Sequence, residues 1–349
     1  MPKVKIAIAS VPANVPREKI SAHTSAMISV GTVLIRASMN LIMLTTVRLC
    51  IMLLEASTAK GSARAQPMTV PNIDIFIVST SGDTTFPKKL HLGWKIFPRI
   101  TKSSFILENT VAKLTIPAPA QFLEQMIMPF AWGNTKKFYD TPEQVADDIA
   151  AGYKEFIKDV YAAGCRNLQF DDCSWGMVVD PSACKLFGTT PAGLEKIKNT
   201  LLDINNKAIE GKPEDLVINT HVCRGNFHST YASSGAYTSV ASTLFAKENV
   251  NAYYLEYDDE RSGGFEPLKN VTGDKKVVLG LITTKSPELE DEQTVIDRIN
   301  EAAKYIPLDR LCLSPQCGFA SCEIGNKLTE EEQWAKLRLV KKIAEKVWG

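Results

Sequence analysis

The stretch INTHVCRGNF brings two residues of metal-binding type close together. They are His221 and Cys223, and they end an apolar run just before Gly225. Side chains two positions apart on a β-strand point to the same face of the sheet. Buried cysteines are common, however, and a histidine at a strand end often only hydrogen-bonds to nearby groups. The pair therefore predicts either part of a metal site or an ordinary strand end.

Two further residues of metal-binding type end later apolar runs. Glu256 lies at the tip of the run in YYLEYDDERSGG, and Cys317 lies at the tip of the run in LSPQCGFAS. If these runs are strands of one barrel, their carboxyl ends converge in space. The converging donors would be one imidazole, two thiolates and one carboxylate, from His221, Cys223, Glu256 and Cys317. This set favours Zn²⁺ over Mg²⁺ or Ca²⁺ because thiolates are soft ligands, and its exchangeable carboxylate argues against a purely structural site.

The elements that must position these residues alternate from about residue 110 onwards. Six apolar runs are strand candidates: Ala112–Pro117, Asn167–Asp172, Leu216–Cys223, Ala252–Tyr257, Val277–Thr283 and Leu311–Cys317. Helical patterns fill the intervals between these runs. Capping sequences that start at Thr141 and Thr329 predict where two of the helices begin. Such alternation predicts an α/β fold with a parallel sheet, most of a (β/α)₈ TIM-type barrel. An open doubly wound sheet is the alternative, but the chain has no glycine-rich phosphate loop.

The charge distribution divides the chain into two parts. The whole sequence is 45% hydrophobic with a formal net charge of +1, so it has no basic footprint for nucleic acid or an anionic membrane. Residues 1–107 carry 13 Lys and Arg against 4 Asp and Glu, whereas residues 108–349 carry 27 against 35. We therefore predict an atypical N-terminal segment over 1–107 and a barrel domain over 108–349.

Cysteine usage and one apolar stretch bear on the location of the protein. The eight cysteines contain no C-x-x-C pair, which predicts reduced thiols and a cytoplasmic protein. The stretch Met27–Leu54 is apolar enough to raise the question of a membrane span. Arg36 and Arg48 interrupt it, and a charged residue near the bilayer centre is costly. We therefore predict neither a span nor an export signal.

The motifs HVC, LEYDDERSG and SPQCG together resemble the cobalamin-independent methionine synthase family. The resemblance runs from about Ala112 to Gly349 and is closest to short single-barrel members, similar to the catalytic C-terminal half of the full-length enzyme. It implies a zinc ion held by the four residues named above. It also implies that Glu256 yields its coordination position to the sulfur of homocysteine. Zinc would keep that sulfur a thiolate, the form of a thiol that attacks a methyl group.

The resemblance further implies where the amino-acid substrate binds. An aspartate of the family that receives the ammonium group of homocysteine matches Asp171 in LQFDDCSW, and Asp172 replaces a glutamate. We predict that both aspartates contact the substrate, the alternative being that they cap the following turn. Asp258, Asp259 and Arg261 could form either a loop ion pair or an acceptor contact.

The implied activity is zinc-dependent methyl transfer to a thiol, as in 5-methyltetrahydropteroyltriglutamate–homocysteine methyltransferase. Lys285 in LITTKSP stands where full-length members have a histidine thought to protonate the folate nitrogen. A lysine is a poor proton donor at neutral pH, so the methyl donor is either methylfolate or another compound. A zinc thiol-alkyl transferase with another donor or thiol is one alternative function. A degenerate zinc-binding barrel without activity is another.

The N-terminal segment departs most from the family. Residues 1–110 lack the Gly-Ser turn and the Gly-Glu strand end with which members hold the substrate on their first two strands. The segment is either a divergent N-terminus or the translation of a shifted reading frame, and the second option explains both its basic charge and its missing motifs. The first two strand–helix units of the barrel are therefore doubtful.

Overall fold

The computed structural model describes residues 111–321 and 324–349. The N-terminal segment 1–107, the stretch Met27–Leu54 and the first two predicted barrel units lie outside the described residues. The prediction that the chain divides near residue 107 therefore stays a prediction. Within the described part, no helix is long and apolar enough to cross a membrane.

Six parallel strands form one sheet in the described part of the chain. They are β1 (Leu114–Pro117), β2 (Asn167–Asp171), β3 (Val217–Val222), β4 (Ala252–Glu256), β5 (Lys276–Ile282) and β6 (Leu311–Pro315). Each strand pairs in parallel with the next one along the chain, in the order β1-β2-β3-β4-β5-β6. The predicted strands and the α/β class are thereby confirmed.

Helices fill the connections between the strands. They are α1 (Pro119–Ile127), α2 (Pro129–Thr135), α3 (Pro142–Ala162), α4 (Ser174–Val179), α5 (Ala183–Leu186), α6 (Pro191–Ile209), α7 (Leu244–Lys247), α8 (Glu292–Ala302) and α9 (Glu330–Trp348). Short 3₁₀ helices span Tyr237–Ser239, Glu260–Ser262, Glu266–Asn270 and Leu308–Arg310. The predicted capping box opens α9, since Thr329 and Glu332 each accept a hydrogen bond from the backbone amide of the other.

The strand order favours the barrel over the doubly wound alternative. A doubly wound sheet reverses its strand order at a switch point, whereas this order runs in one direction without reversal. The sheet also curls: Lys113, just before β1, places its Nζ 4.3 Å from the ring centroid of Tyr254 on β4. The two strands are three strand spacings apart, roughly 14 Å in a flat sheet. The contact therefore lies across a concave inner face.

Alternation along the strands separates the core from this inner face. On β2, Leu168 and Phe170 are completely buried, and the ring of Phe170 packs edge-on against Tyr153 of α3 with centroids 5.9 Å apart. Gln169 and Asp171 point the opposite way, because successive side chains of a strand alternate. The register pairs Asp171 with His221 of β3. The apolar outer face thus fixes which polar residues face inward.

Candidate metal centre

Three of the predicted metal ligands meet at the carboxyl ends of β3 and β6. His221 lies in β3, Cys223 follows it directly, and Cys317 comes two residues after β6. Their donor atoms all lie within 4.8 Å of one another. Donors on one tetrahedral zinc lie about 3.3–3.8 Å apart, given its usual bond lengths of about 2.0–2.3 Å. One imidazole and two thiols at this spacing fit Zn²⁺ with small side-chain movements.

Two glycines allow the backbones that carry the cysteines to approach their neighbours. A Cβ atom on Gly176 of α4 would lie 2.2 Å from the carbonyl oxygen of Cys223. A Cβ atom on Gly280 of β5 would lie 2.7 Å from the carbonyl oxygen of Leu255 and 3.2 Å from the Cα of Gln316. These distances are shorter than van der Waals contact. Only glycine therefore fits where α4 presses on the end of β3 and where β5 meets the end of β6.

A third cysteine, which the sequence analysis did not select, joins the cluster. The Sγ of Cys173 lies 3.3 Å from the Sγ of Cys223. Cys173 follows β2 at the same edge of the sheet as the other ligands, and this position was a signal that could have found it. None of the six cysteines of the described part forms a disulfide.

The thiols of the cluster differ in pKa. Hydrogen bonds from the Cys173 and Cys317 thiols hold the pKa of Cys223 well below its usual value, although burial opposes this shift. Burial and the proximity of Cys223 raise the pKa of Cys317 well above its usual value. Burial works to lower the pKa of His221, but the hydrogen bond and charge of Cys223 outweigh it and raise the value to about 9. Cys223 therefore carries the most acidic thiol of the cluster.

Gln316 and Lys285 support the sulfur of Cys317 through hydrogen bonds. The Gln316 amide donates a hydrogen bond from Nε2 to the Sγ of Cys317 at 2.6 Å. Lys285 donates a hydrogen bond to the Oε1 of Gln316, which fixes the orientation of the amide. The Nζ of Lys285 also lies 3.5 Å from carboxylate oxygens of Glu256 and Asp258. Lys285 thus lies inside the site and supports one of its donors.

Glu256, the fourth predicted ligand, lies outside the group of three donors. Its side chain is completely buried, and its Oε2 accepts a hydrogen bond from the backbone amide of Arg224 at 2.6 Å. Its Oε1 accepts one from the Nη2 of Arg261, also at 2.6 Å. The structure therefore brings together three of the four predicted ligands and pairs the carboxylate with an arginine.

The acidic loop after β4 forms an ion pair, one of the two alternatives for it. Arg261 lies 3.1 Å from a carboxylate oxygen of Asp258 and 2.7 Å from one of Asp259. Its guanidinium stacks 3.9 Å from the ring centroid of Tyr231. These contacts fix the loop at the rim of the site.

The two aspartates after β2 have different surroundings. Asp171 faces the cluster, and burial raises the pKa of its carboxyl while the charge of His221 and a hydrogen bond from Gln169 oppose the shift. Asp172 is completely buried, and its carboxylate accepts hydrogen bonds from Ser174 and from Asn205 at 2.8 Å. Its Oδ1 also accepts the backbone N–H of Ser174, the first residue of α4, which agrees with the alternative interpretation that it caps the following turn. Asp172 therefore does not line the inner face beside the donors.

One family model covers most of this part of the chain. The model described as "Cobalamin-independent synthase, Catalytic domain" matches residues 130–346. The chain belongs to the cobalamin-independent synthase family. The resemblance inferred from the three motifs is thereby confirmed, and the match contains the whole cluster and Asp171. The chemistry of this family is methyl transfer, as in methionine synthases.

The match spans only part of the length of each relative in the cobalamin-independent synthase family. The uncharacterized protein YxjH of Bacillus subtilis is 47% identical over 244 residues, which are 70% of this chain and 63% of that protein. The uncharacterized protein YxjG of the same organism is 45% identical over 266 residues, 74% of this chain and 68% of that protein. A solved structure described as a candidate vitamin-B12 independent methionine synthase from Listeria monocytogenes is 36% identical with a TM-score of 0.56. It covers 72% of this chain and 70% of that one.

Proposed function

We propose that the protein is a zinc-dependent S-methyltransferase that methylates a small thiol, with homocysteine as the acceptor. The observation that carries the proposal is the meeting of His221, Cys223 and Cys317 within 4.8 Å at the inner face of the sheet. Family membership supports methyl transfer, and the donor chemistry supports zinc. The predicted cytoplasmic location, where thiols stay reduced, agrees with such a reaction.

The residues of the chain have distinct roles in this proposal. His221, Cys223 and Cys317 hold the metal, and Glu256 is the exchangeable fourth ligand. Zinc bound there would supply one effect, which is to keep the acceptor sulfur a thiolate near neutral pH. Asp171 lies on the same face as His221 and binds the ammonium group of the amino-acid thiol. Its carboxylate is half-buried, and a charge pair in such a setting is stronger than in water.

The reaction must move one methyl group and one proton. The acceptor sulfur forms a bond to the methyl carbon while the bond from that carbon to the leaving atom of the donor breaks. The leaving atom then takes up a proton. Lys285 is engaged with Gln316, Glu256 and Asp258, so its nearest partners are groups of the metal site. This engagement favours a second candidate, a zinc thiol-alkyl transferase whose donor needs no protonation by the residue at position 285.

Metal analysis tests the first part of the proposal. Protein purified from zinc-containing medium should hold about one zinc per chain, and Cys223→Ser or Cys317→Ser should lower that content. Cys312→Ser is the matched control, since Cys312 lies on β6 outside the cluster and should leave the zinc content unchanged. Zinc-free wild-type protein would refute the proposal.

Product analysis tests the second part. Methionine formed from homocysteine with methylfolate would support the full proposal. Product formed with another thiol or donor would support the thiol-alkyl transferase. A protein that binds zinc, but whose metal–ligand spectrum does not change when homocysteine is added, would be the degenerate barrel. Reading the upstream nucleotide sequence in all three frames would decide whether residues 1–107 are native.

A further inference from the structure

The carboxylate of Glu256 occupies a specific site of its own. One oxygen accepts the backbone N–H of Arg224 and the other accepts Nη2 of Arg261, both at 2.6 Å. Hydrogen bonds to ionised groups at such distances are among the stronger ones in proteins. We call these two donors, the Arg224 amide and the Arg261 guanidinium, the carboxylate seat.

The seat is held in place by contacts that do not involve Glu256. The Nε of Arg261 donates to Asp259 at 2.7 Å, and its Nη2 also reaches Asp258 at 3.1 Å. The guanidinium stacks on the ring of Tyr231. The second donor of the seat is a backbone amide in the residue that follows Cys223, so the end of β3 fixes it. The seat is therefore preorganised and would keep its shape if the carboxylate left.

The seat also lies close to the metal donors. Arg224 follows Cys223 in the chain, and Lys285, which lies 3.5 Å from the Oε1 of Glu256, orients the amide that supports Cys317. Because one of its oxygens accepts the amide of the residue next to Cys223, the Glu256 carboxylate is a neighbour of the donors, and a side-chain rotation is the movement that would exchange the seat for a fourth ligand position. Glu256 thus has two sets of partners available at one place in the fold.

We propose that the carboxylate seat receives Glu256 when the thiol substrate takes its place among the metal ligands, an inference that rests on the proposed function. With two thiolates and Glu256 bound, the charge of a zinc site sums to about −1. A third thiolate beside a bound Glu256 would bring it to about −2 in a buried setting, where unpaired charge is costly. Transfer of the carboxylate to Arg261 keeps the sum unchanged. In this exchange the acceptor thiol would give its proton to solvent, and the Glu256 carboxylate would pass to the Arg224 amide and Arg261.

Arg261 is then a positioning residue that sets the affinity for thiol more than the affinity for metal. Without Arg261, a displaced Glu256 would stay buried with only the Arg224 amide and the more distant ammonium of Lys285, 3.5 Å away, as partners. Displacement would become unfavourable, whereas the carboxylate would remain free to bind the metal in the absence of substrate. The two affinities should therefore respond in different ways to the loss of Arg261.

The test compares Arg261→Met with the wild-type full chain. Zinc dissociation constants are measured by chelator competition without thiol. Homocysteine dissociation constants come from the sulfur-to-metal charge-transfer absorption of the Co²⁺-substituted protein. We expect homocysteine to bind about tenfold to a hundredfold more weakly, as for the loss of a hydrogen bond between charged groups, with zinc binding unchanged or tighter. Arg261→Lys should retain part of the homocysteine affinity that Arg261→Met loses. Arg338 is an exposed arginine on α9, so Arg338→Met should change neither dissociation constant.

Loss of the loop ion pairs is separated from loss of the seat by Asp259→Asn. This change removes one loop charge, but the asparagine amide oxygen can still accept the two hydrogen bonds that Asp259 takes from the Nε and backbone N–H of Arg261. The seat therefore stays positioned, and homocysteine affinity should stay within about twofold of the wild type. An equal loss in Asp259→Asn and Arg261→Met would overturn the proposal, as would unchanged homocysteine binding in Arg261→Met. If Arg261→Met fails to fold, Arg261→Lys carries the comparison, with an intermediate loss expected and no loss overturning it. A wild-type protein that binds Co²⁺ without any response to homocysteine would remove the proposed function itself.

Discussion

The Sγ atoms of Cys173 and Cys223 lie 3.3 Å apart at the ends of two neighbouring strands. Two thiols at this distance, one of them with a lowered pKa, are well placed for disulfide exchange. We expect oxidised glutathione to convert the metal-free protein to a Cys173–Cys223 disulfide, with release of two molecules of glutathione. Alkylation followed by peptide mass spectrometry would locate the bond.

Zinc should protect this pair from oxidation, because a metal-bound Cys223 is a weaker nucleophile than a free thiolate. Cys173→Ser is the control and should lose the disulfide altogether. Equal loss of thiols in Cys173→Ser and wild-type protein would show that other cysteines react instead.

Gly176 of α4 lies against the backbone of Cys223, where a Cβ atom would approach the carbonyl oxygen to 2.2 Å. Gly176→Ala should therefore displace the end of β3, lower the free energy of unfolding by about 1–3 kcal/mol and weaken zinc binding. Urea denaturation and chelator competition measure the two effects. Gly133→Ala is the matched control: Gly133 lies in α2 with no atom within 4 Å of an added Cβ, so this change should stabilise by up to about 1 kcal/mol. A Gly176→Ala protein as stable as wild type would contradict the packing argument.

Glu248 is completely buried, and burial, aided by the charge of Asp172, raises the pKa of its carboxyl from 4.5 to about 8. Asn205 donates to one of its oxygens at 2.8 Å, and a charge of Lys275 opposes the shift weakly. The folded state thus keeps a proton that the unfolded state loses above pH 4.5. This proton contributes stability below pH 4.5 that is lost as pH rises to about 8.

Glu248→Gln should remove this loss. Relative to the wild type, the variant should gain up to about 5 kcal/mol between pH 4.5 and pH 9, at about 1.4 kcal/mol for each pKa unit. Urea midpoints across the pH range provide the comparison. Glu155→Gln, which changes an exposed side chain on α3, should follow the wild-type profile. If the stability of Glu248→Gln and of the wild type changed with pH in parallel, Glu248 would not control the pH dependence of stability.

Lys336 of α9 is completely buried and lies 3.1 Å from both carboxylate oxygens of Glu290. Glu290 in turn accepts the backbone N–H of Thr283 at 2.7 Å, so the pair ties the last helix to the loop that carries Lys285. Lys336→Met should lower the free energy of unfolding by about 3 kcal/mol or more, because it leaves a largely buried carboxylate without its partner.

The double variant Lys336→Met/Glu290→Gln should recover part of that loss, and a double-mutant cycle in urea measures the coupling. Lys341→Met is the control for α9. Lys341 is exposed and lies 3.7 Å from Glu345, so its loss should cost less than about 1 kcal/mol. A coupling energy near zero would show that the buried pair does not act as a unit.

The sequence alone predicted the strands and three members of the cluster, for reasons that are local. Six apolar runs separated by helical patterns are enough to predict a parallel sheet, because each strand needs a crossover. His221 and Cys223 share a face because side chains alternate along a strand, and Cys317 joins them because strand ends converge. Periodicity and topology, which require no knowledge of side-chain contacts, therefore accounted for the position of the site.

The partners of each side chain were not predictable in the same way. Glu256 was chosen for its position at a strand end, but its carboxylate is bound by an amide of the neighbouring strand and by Arg261. Cys173 looked like one cysteine among eight until β2 and β3 placed it beside Cys223. Asp172 was expected at the substrate because it stands where family members have a glutamate, yet its carboxylate is bound by Ser174 and Asn205.

The amino-acid sequence by itself determined the α/β class, the family and the residues that carry the soft metal donors. Those features depend on composition, spacing and period, which are properties of the linear chain. The tertiary structure alone decided that the carboxylate of Glu256 pairs with Arg261 and that Cys173 joins the cluster. Those pairings depend on which of several nearby charges and hydrogen-bond donors a buried side chain meets, and these partners come from different strands and loops.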